Sequence, residues 1–76
     1  MEPGYIKINL EQVIKDKGFS KNKFAHMTMM ERTQLNNYCK GKMQRFDLVL
    51  LARMCDILDC QVGDILEYVK MKKNDF

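Results

Sequence analysis

Tryptophan is absent from this 76-residue chain, and proline and histidine occur once each, as Pro3 and His26. Glycine is sparse, with four residues in all, so there is no glycine loop of the kind that cradles phosphates. Paired carboxylates and Ser–His or Cys–His arrangements are also missing, which argues against an enzyme and against a cofactor. Three cysteines (Cys39, Cys55, Cys60) make an odd count, and no pair has the C-x-x-C spacing. Without that spacing, and with a single histidine, they do not read as a zinc site, so they are expected to be structural thiols, with no metal. Free thiols imply a reducing compartment, hence a cytoplasmic protein. No apolar run approaches the roughly 18 residues that span a membrane, and the start Met-Glu-Pro-Gly-Tyr-Ile-Lys lacks a leader's apolar stretch. No membrane association is expected, and no small-molecule ligand is evident.

What the chain does have is an uneven charge. The net +3 is small, but residues 20–45 carry Lys21, Lys23, Arg32, Lys40, Lys42 and Arg45 against Glu31 alone. Residues 46–69 reverse the balance, with Arg53 against Asp47, Asp56, Asp59, Asp64 and Glu67. A basic excess confined to one segment suits a phosphate partner as well as it suits a solvated face.

Length allows one domain, 1–76, with its core over about 6–69 and flexible ends. Tyr5–Leu10 alternates apolar and polar residues, a short strand signal. Asn9 followed by Gln12 predicts a capping box for a first helix over about Leu10–Lys17, with Leu10, Val13 and Ile14 inward and Gly18 ending it. Ser20 predicts the N-cap of a second helix that turns Phe24, Ala25 and Met27 or Thr28 inward. A third helix is expected over about Glu31–Cys39 with Leu35 and Tyr38 inward, closed by Gly41. Asp47 caps a fourth, to about Leu58, with Leu48, Leu51, Met54 or Cys55, and Leu58 facing the core. A fifth lies near Val62–Leu66. The tail from Tyr68 alternates again and can pair with Tyr5–Asn9 or with a partner chain. The expectation is an all-α, five-helix fold with room for a two-stranded ribbon from the termini. Met27, Met29 and Met30 are expected as adaptable core under the turn, and His26 as a surface residue.

The segments Phe24-Ala25-His26-Met27-Thr28-Met29-Met30 and Leu35-Asn36-Asn37-Tyr38-Cys39-Lys40-Gly41-Lys42 resemble the Cro/CI-type (XRE, lambda-repressor-like) helix-turn-helix family of small transcriptional regulators. A small residue at Ala25 lets the third helix cross closely, and Leu35 and Tyr38 lock the two helices together. The likeness runs from Ile6 to Val69, through the Asp47 cap and Cys60-Gln-Val-Gly-Asp-Ile-Leu. Two positions depart from the pattern. Met29 stands where glycine is usual, at a place expected to have positive φ and to cost on the order of 1 kcal/mol. Glu31 is a poor N-cap, and its charge faces approaching phosphates.

The resemblance implies a sequence-specific, DNA-binding transcriptional regulator, a repressor by expectation, with its third helix in the major groove of duplex DNA. Base contacts would come from Arg32, Thr33, Gln34, Asn36 and Asn37. Phosphate contacts would come from Lys21, Asn22 and Lys23 at the start of the second helix, and from Lys40, Lys42, Gln44 and Arg45 after the third. Val49, Leu50 and Ile57 widen the fourth helix's apolar stripe beyond one core's need. With Tyr68 they are expected to form a homodimer interface, the alternative being that they cover the ribbon. The competing function is a protein-interaction module, such as an antitoxin-like partner, with weakened DNA binding; Met29 and Glu31 favour it.

Overall fold

A computed structural model describes residues 4–42 and 45–71. Gln44, Lys72 and the rest of the C-terminal tail lie outside the described residues. Strand β1 (Tyr5–Ile8) is followed by helices α1 (Leu10–Asp16), α2 (Lys21–Thr28), α3 (Arg32–Lys40), α4 (Leu48–Leu58) and α5 (Val62–Ile65), then by strand β2 (Leu66–Val69). The two strands pair antiparallel, Tyr5 opposite Val69 and Ile8 opposite Leu66. Five helices and a terminal ribbon are the expected architecture, with β2 beginning two residues earlier than the Tyr68 alternation indicates.

Leu10 and Ile14 of α1, Phe24 and Ala25 of α2, Leu35 and Tyr38 of α3, Leu51, Met54 and Leu58 of α4, and Ile65 of α5 form one buried cluster. Burying the larger of these stabilises by about 1.5–3 kcal/mol each. Ile8 and Leu66 close one end of the core as half-buried lids, while Ile6 and Tyr68, farther along the same ribbon face, stay exposed. Two N-caps form as expected: Ser20 Oγ accepts from Lys23 N (3.1 Å), and Asp47 Oδ1 accepts from Val49 N (2.9 Å) and Leu50 N (3.3 Å).

Four readings need correction. The capping box at Asn9 does not form: the Asn9 amide reaches across to Glu67 instead (3.1 Å), tying the entry of α1 to the ribbon. A capping box forms where none was expected, at Gln61 and Asp64 on α5. On α4 the inward residue of the first turn is Leu50, not Leu48, which is 77% exposed. Of the three methionines around the turn only Met30 is core; Met29 is 81% exposed and Met27 is exposed as well. The inward residue at the end of α2 is Thr28, whose hydroxyl donates to the carbonyls of Phe24 (2.9 Å) and Ala25 (3.2 Å).

Candidate nucleic-acid interface

Helix α2 leaves its last turn through Met29, at φ 59 and ψ 36, in the left-handed region. Met30 N donates to Ala25 O (2.9 Å) and Met29 N to His26 O (3.2 Å). This pair of bonds reverses the chain and satisfies carbonyls the helix leaves open. Arg53 of α4 adds a third bond from outside, its guanidinium donating to Thr28 O (3.3 Å). The turn therefore has the backbone a glycine would favour, without the glycine. Glu31 sits at the N-cap of α3 with extended backbone and makes no side-chain cap.

Helix α3 is anchored by Leu35, which is fully buried, and by Tyr38, whose ring packs edge-on against Phe46 with centroids 4.6 Å apart. With those two residues inward, Thr33, Asn37 and Lys40 fall on one exposed outer stripe at i, i+4 and i+7. Asn36 lies on its edge and is half-buried, while Arg32 and Gln34 flank the stripe and are exposed. All five residues expected at base edges thus lie at or near the outer surface of the helix, toward its N-terminal half.

The residues expected at phosphates take different positions. Lys23, Lys40, Lys42 and Arg45 are exposed. Lys21 is half-buried and forms an ion pair with Glu11 of α1 (3.3 Å). Asn22 is exposed and accepts a hydrogen bond through Oδ1 from Arg32 Nη1. A cleft of about 430 Å³ opens between α1 and the first turns of α2 and α3, with Lys15, Lys21 and Arg32 on its walls. Neither the Asn22–Arg32 bond nor the Lys21–Glu11 pair was foreseen. The spacing of ten residues in each case carries no regular period, and only the docking of the helices brings the groups together.

Of the residues expected at a dimer interface, Val49 and Tyr68 are exposed, Ile57 is half-buried against the core, and Leu50 is buried within the protomer. Leu50 is therefore removed from that set, and Leu48 occupies the outward place. Cys39, Cys55 and Cys60 are free, half-buried thiols. Burial raises the pKa of Cys39 against an opposing pull from Lys21, and burial followed by the neighbouring Cys55 raises that of Cys60. Both shifts run upward, away from the reactive thiolate form. Among the described residues no helix is long and apolar enough to cross a membrane.

Similarity to known proteins agrees with this geometry. A crystal structure of the transcriptional regulator VanUg superposes with a TM-score of 0.69 at 19% identity, covering 93% of this chain and 93% of that one. At that identity the likeness concerns the fold. No curated protein matches the chain. Residues 9–71, which include every helix from α1 to α5, match the family of the Cro/C1-type HTH DNA-binding domain, and the chain belongs to that family.

Proposed function

We propose that this protein is a transcriptional regulator, acting as a repressor in the cytoplasm, that binds operator DNA as a homodimer with α3 in the major groove. The observation that carries this reading is the outer face of α3, where Thr33, Asn37 and Lys40 form one exposed stripe flanked by Arg32 and Gln34. Arg32 offers a bidentate contact to guanine, Asn36 or Asn37 the matching contact to adenine, and Thr33 a methyl for thymine. Lys23, Lys40, Lys42 and Arg45 supply sequence-independent phosphate contacts, as would Gln44, which lies outside the described residues. One such helix covers only a few base pairs, so useful selectivity calls for two of them about 34 Å apart on one face of the duplex. The exposed apolar residues Leu48 and Val49 on α4, and Ile6 and Tyr68 on the ribbon, are the surfaces available for pairing.

Selection from random duplex DNA, followed by binding across a salt series, tests this. The expected outcome is a pseudo-palindrome and an affinity that falls steeply with salt, by a slope of about −0.9 per phosphate neutralised. Arg32→Ala should cost about 1–3 kcal/mol at the cognate site and relax base preference there, whereas Lys42→Ala should weaken all sequences alike. Absence of duplex binding even at low salt would favour the protein-interaction reading, for which Glu31 at the N-cap of α3 is the supporting observation. Sedimentation with and without DNA decides the stoichiometry; a monomer in both cases refutes the homodimer.

A further inference from the structure

Resting on the DNA-binding reading above, we propose that Asn22 is a positioning residue that orients the Arg32 guanidinium and so sets the preference for guanine at one place in each half-site. Asn22 lies in the first turn of α2 and Arg32 is the first residue of α3, so their contact bridges the two helices that the turn holds together. A free arginine samples many rotamers, and bidentate recognition needs its planar fork in one of them. The bond to Asn22 Oδ1 engages Nη1 and leaves the Nε/Nη2 edge as a parallel pair of donors, the pair that matches O6 and N7 of guanine.

The chemistry of the partner is what makes this a positioning device. A carboxylate would also hold an arginine, but it would cancel the charge and repel phosphates. An amide orients the guanidinium and leaves its charge intact. The nearby carboxylate on α1, Glu11, is occupied by Lys21 at 3.3 Å, and Arg32 makes no ion pair among the described residues. The two neighbouring positions therefore divide the work, Lys21 tying α2 to α1 and Asn22 holding Arg32. Both Asn22 and Arg32 are exposed in the protein alone. Exclusion of water in a groove would strengthen their bond when it is needed.

The test measures relative affinities for duplexes varied at each half-site position, using the full chain, Asn22→Ala, Asn22→Asp, Arg32→Ala and the Asn22→Ala/Arg32→Ala pair. Asn22→Ala should reduce the preference for guanine about tenfold at one position only, with the preferences at the other half-site positions kept. Arg32→Ala should abolish the same preference, and adding Asn22→Ala to it should change nothing more. Asn22→Asp should keep the preference while weakening every sequence. In the protein without DNA, the Arg32 guanidinium NMR signals should broaden or shift in Asn22→Ala, with helical content unchanged. Equal weakening of all sequences by Asn22→Ala, or additive effects in the pair, would overturn the proposal and return Asn22 to a plain phosphate contact. An unsubstituted chain with no base preference would instead remove the DNA-binding reading itself, and this proposal with it.

Discussion

The exits from α1 and α3 differ in kind from those of α2 and α4, although all four follow the same path. Each passes through a left-handed residue, Gly18 and Gly41 in the first pair, Met29 and Asp59 in the second. Each closes with the same two backbone bonds, for example Lys42 N to Asn37 O (3.0 Å) and Cys60 N to Cys55 O (3.0 Å). At the two glycines the conformation is accessible without a Cβ penalty. At the other two it is not, and there a distant cation binds a carbonyl of the turn. Arg53 of α4 reaches Thr28 O, and Lys17, just after α1, reaches Asp59 O, both at 3.3 Å. Among the described residues neither glycine turn has such a bond. Where the sequence withholds glycine, the strain is offset by groups remote in sequence, which fix that turn to the rest of the fold.

Four substitutions sharpen or break this contrast. The largest effect is expected at Gly41→Ala, which forces a Cβ into φ 68 and should cost about 1–2 kcal/mol. The thermal midpoint should fall by roughly 4–8 °C per kcal/mol in a domain of this size. An unchanged midpoint would mean that the glycine turns carry no special demand. Next comes Met29→Gly. Its side chain is 81% exposed, so little packing is lost, and stability should rise by about 1 kcal/mol. Asp59→Gly should gain less, since aspartate visits this region more readily than methionine. Denaturant midpoints rank the two, and a loss at Met29→Gly would show that the exposed side chain contributes something the fold does not explain. Smallest is Arg53→Ala, expected to cost about 0.5–1 kcal/mol through the bond to Thr28 O. The cost should shrink when Met29→Gly is already present. Equal costs in both backgrounds would show that the cation does not compensate for the missing glycine.

Much of the helical frame was legible because its signals are local. Ser20 and Asp47 cap as their side chains predict, Gly18 and Gly41 end their helices, and the positive φ at Met29 is what the likeness to Cro/CI-type turns implies, where glycine usually stands four residues after the alanine. The misreadings share one cause. The first turn of α4 reads Leu48-Val49-Leu50-Leu51, apolar on every side, so periodicity alone does not choose the inward residue; docking chose Leu50. Asn9 had a local partner available in its own helix and found a better one in Glu67, more than fifty residues away in sequence. The candidate interface divides in the same way. Exposure of Thr33, Gln34 and Asn37 follows from the helix period, whereas the engagement of Asn22 by Arg32 and of Lys21 by Glu11 depends on how three helices meet.

The ribbon also bears on the order in which the molecule assembles. Pairing Tyr5 with Val69 closes a loop that spans nearly the whole chain. The entropy of such closure grows only with the logarithm of loop length, yet it must be met before the strand contacts return anything. The helices and their turns are built from short-range bonds and carry no such debt. Once α1 and α5 have docked, Asn9 N already lies 2.7 Å from Ile65 O, beside the Ile8–Leu66 pair. The effective loop left to close is then a few residues, and the two ends of the chain zip outward from that clasp toward Tyr5 and Val69.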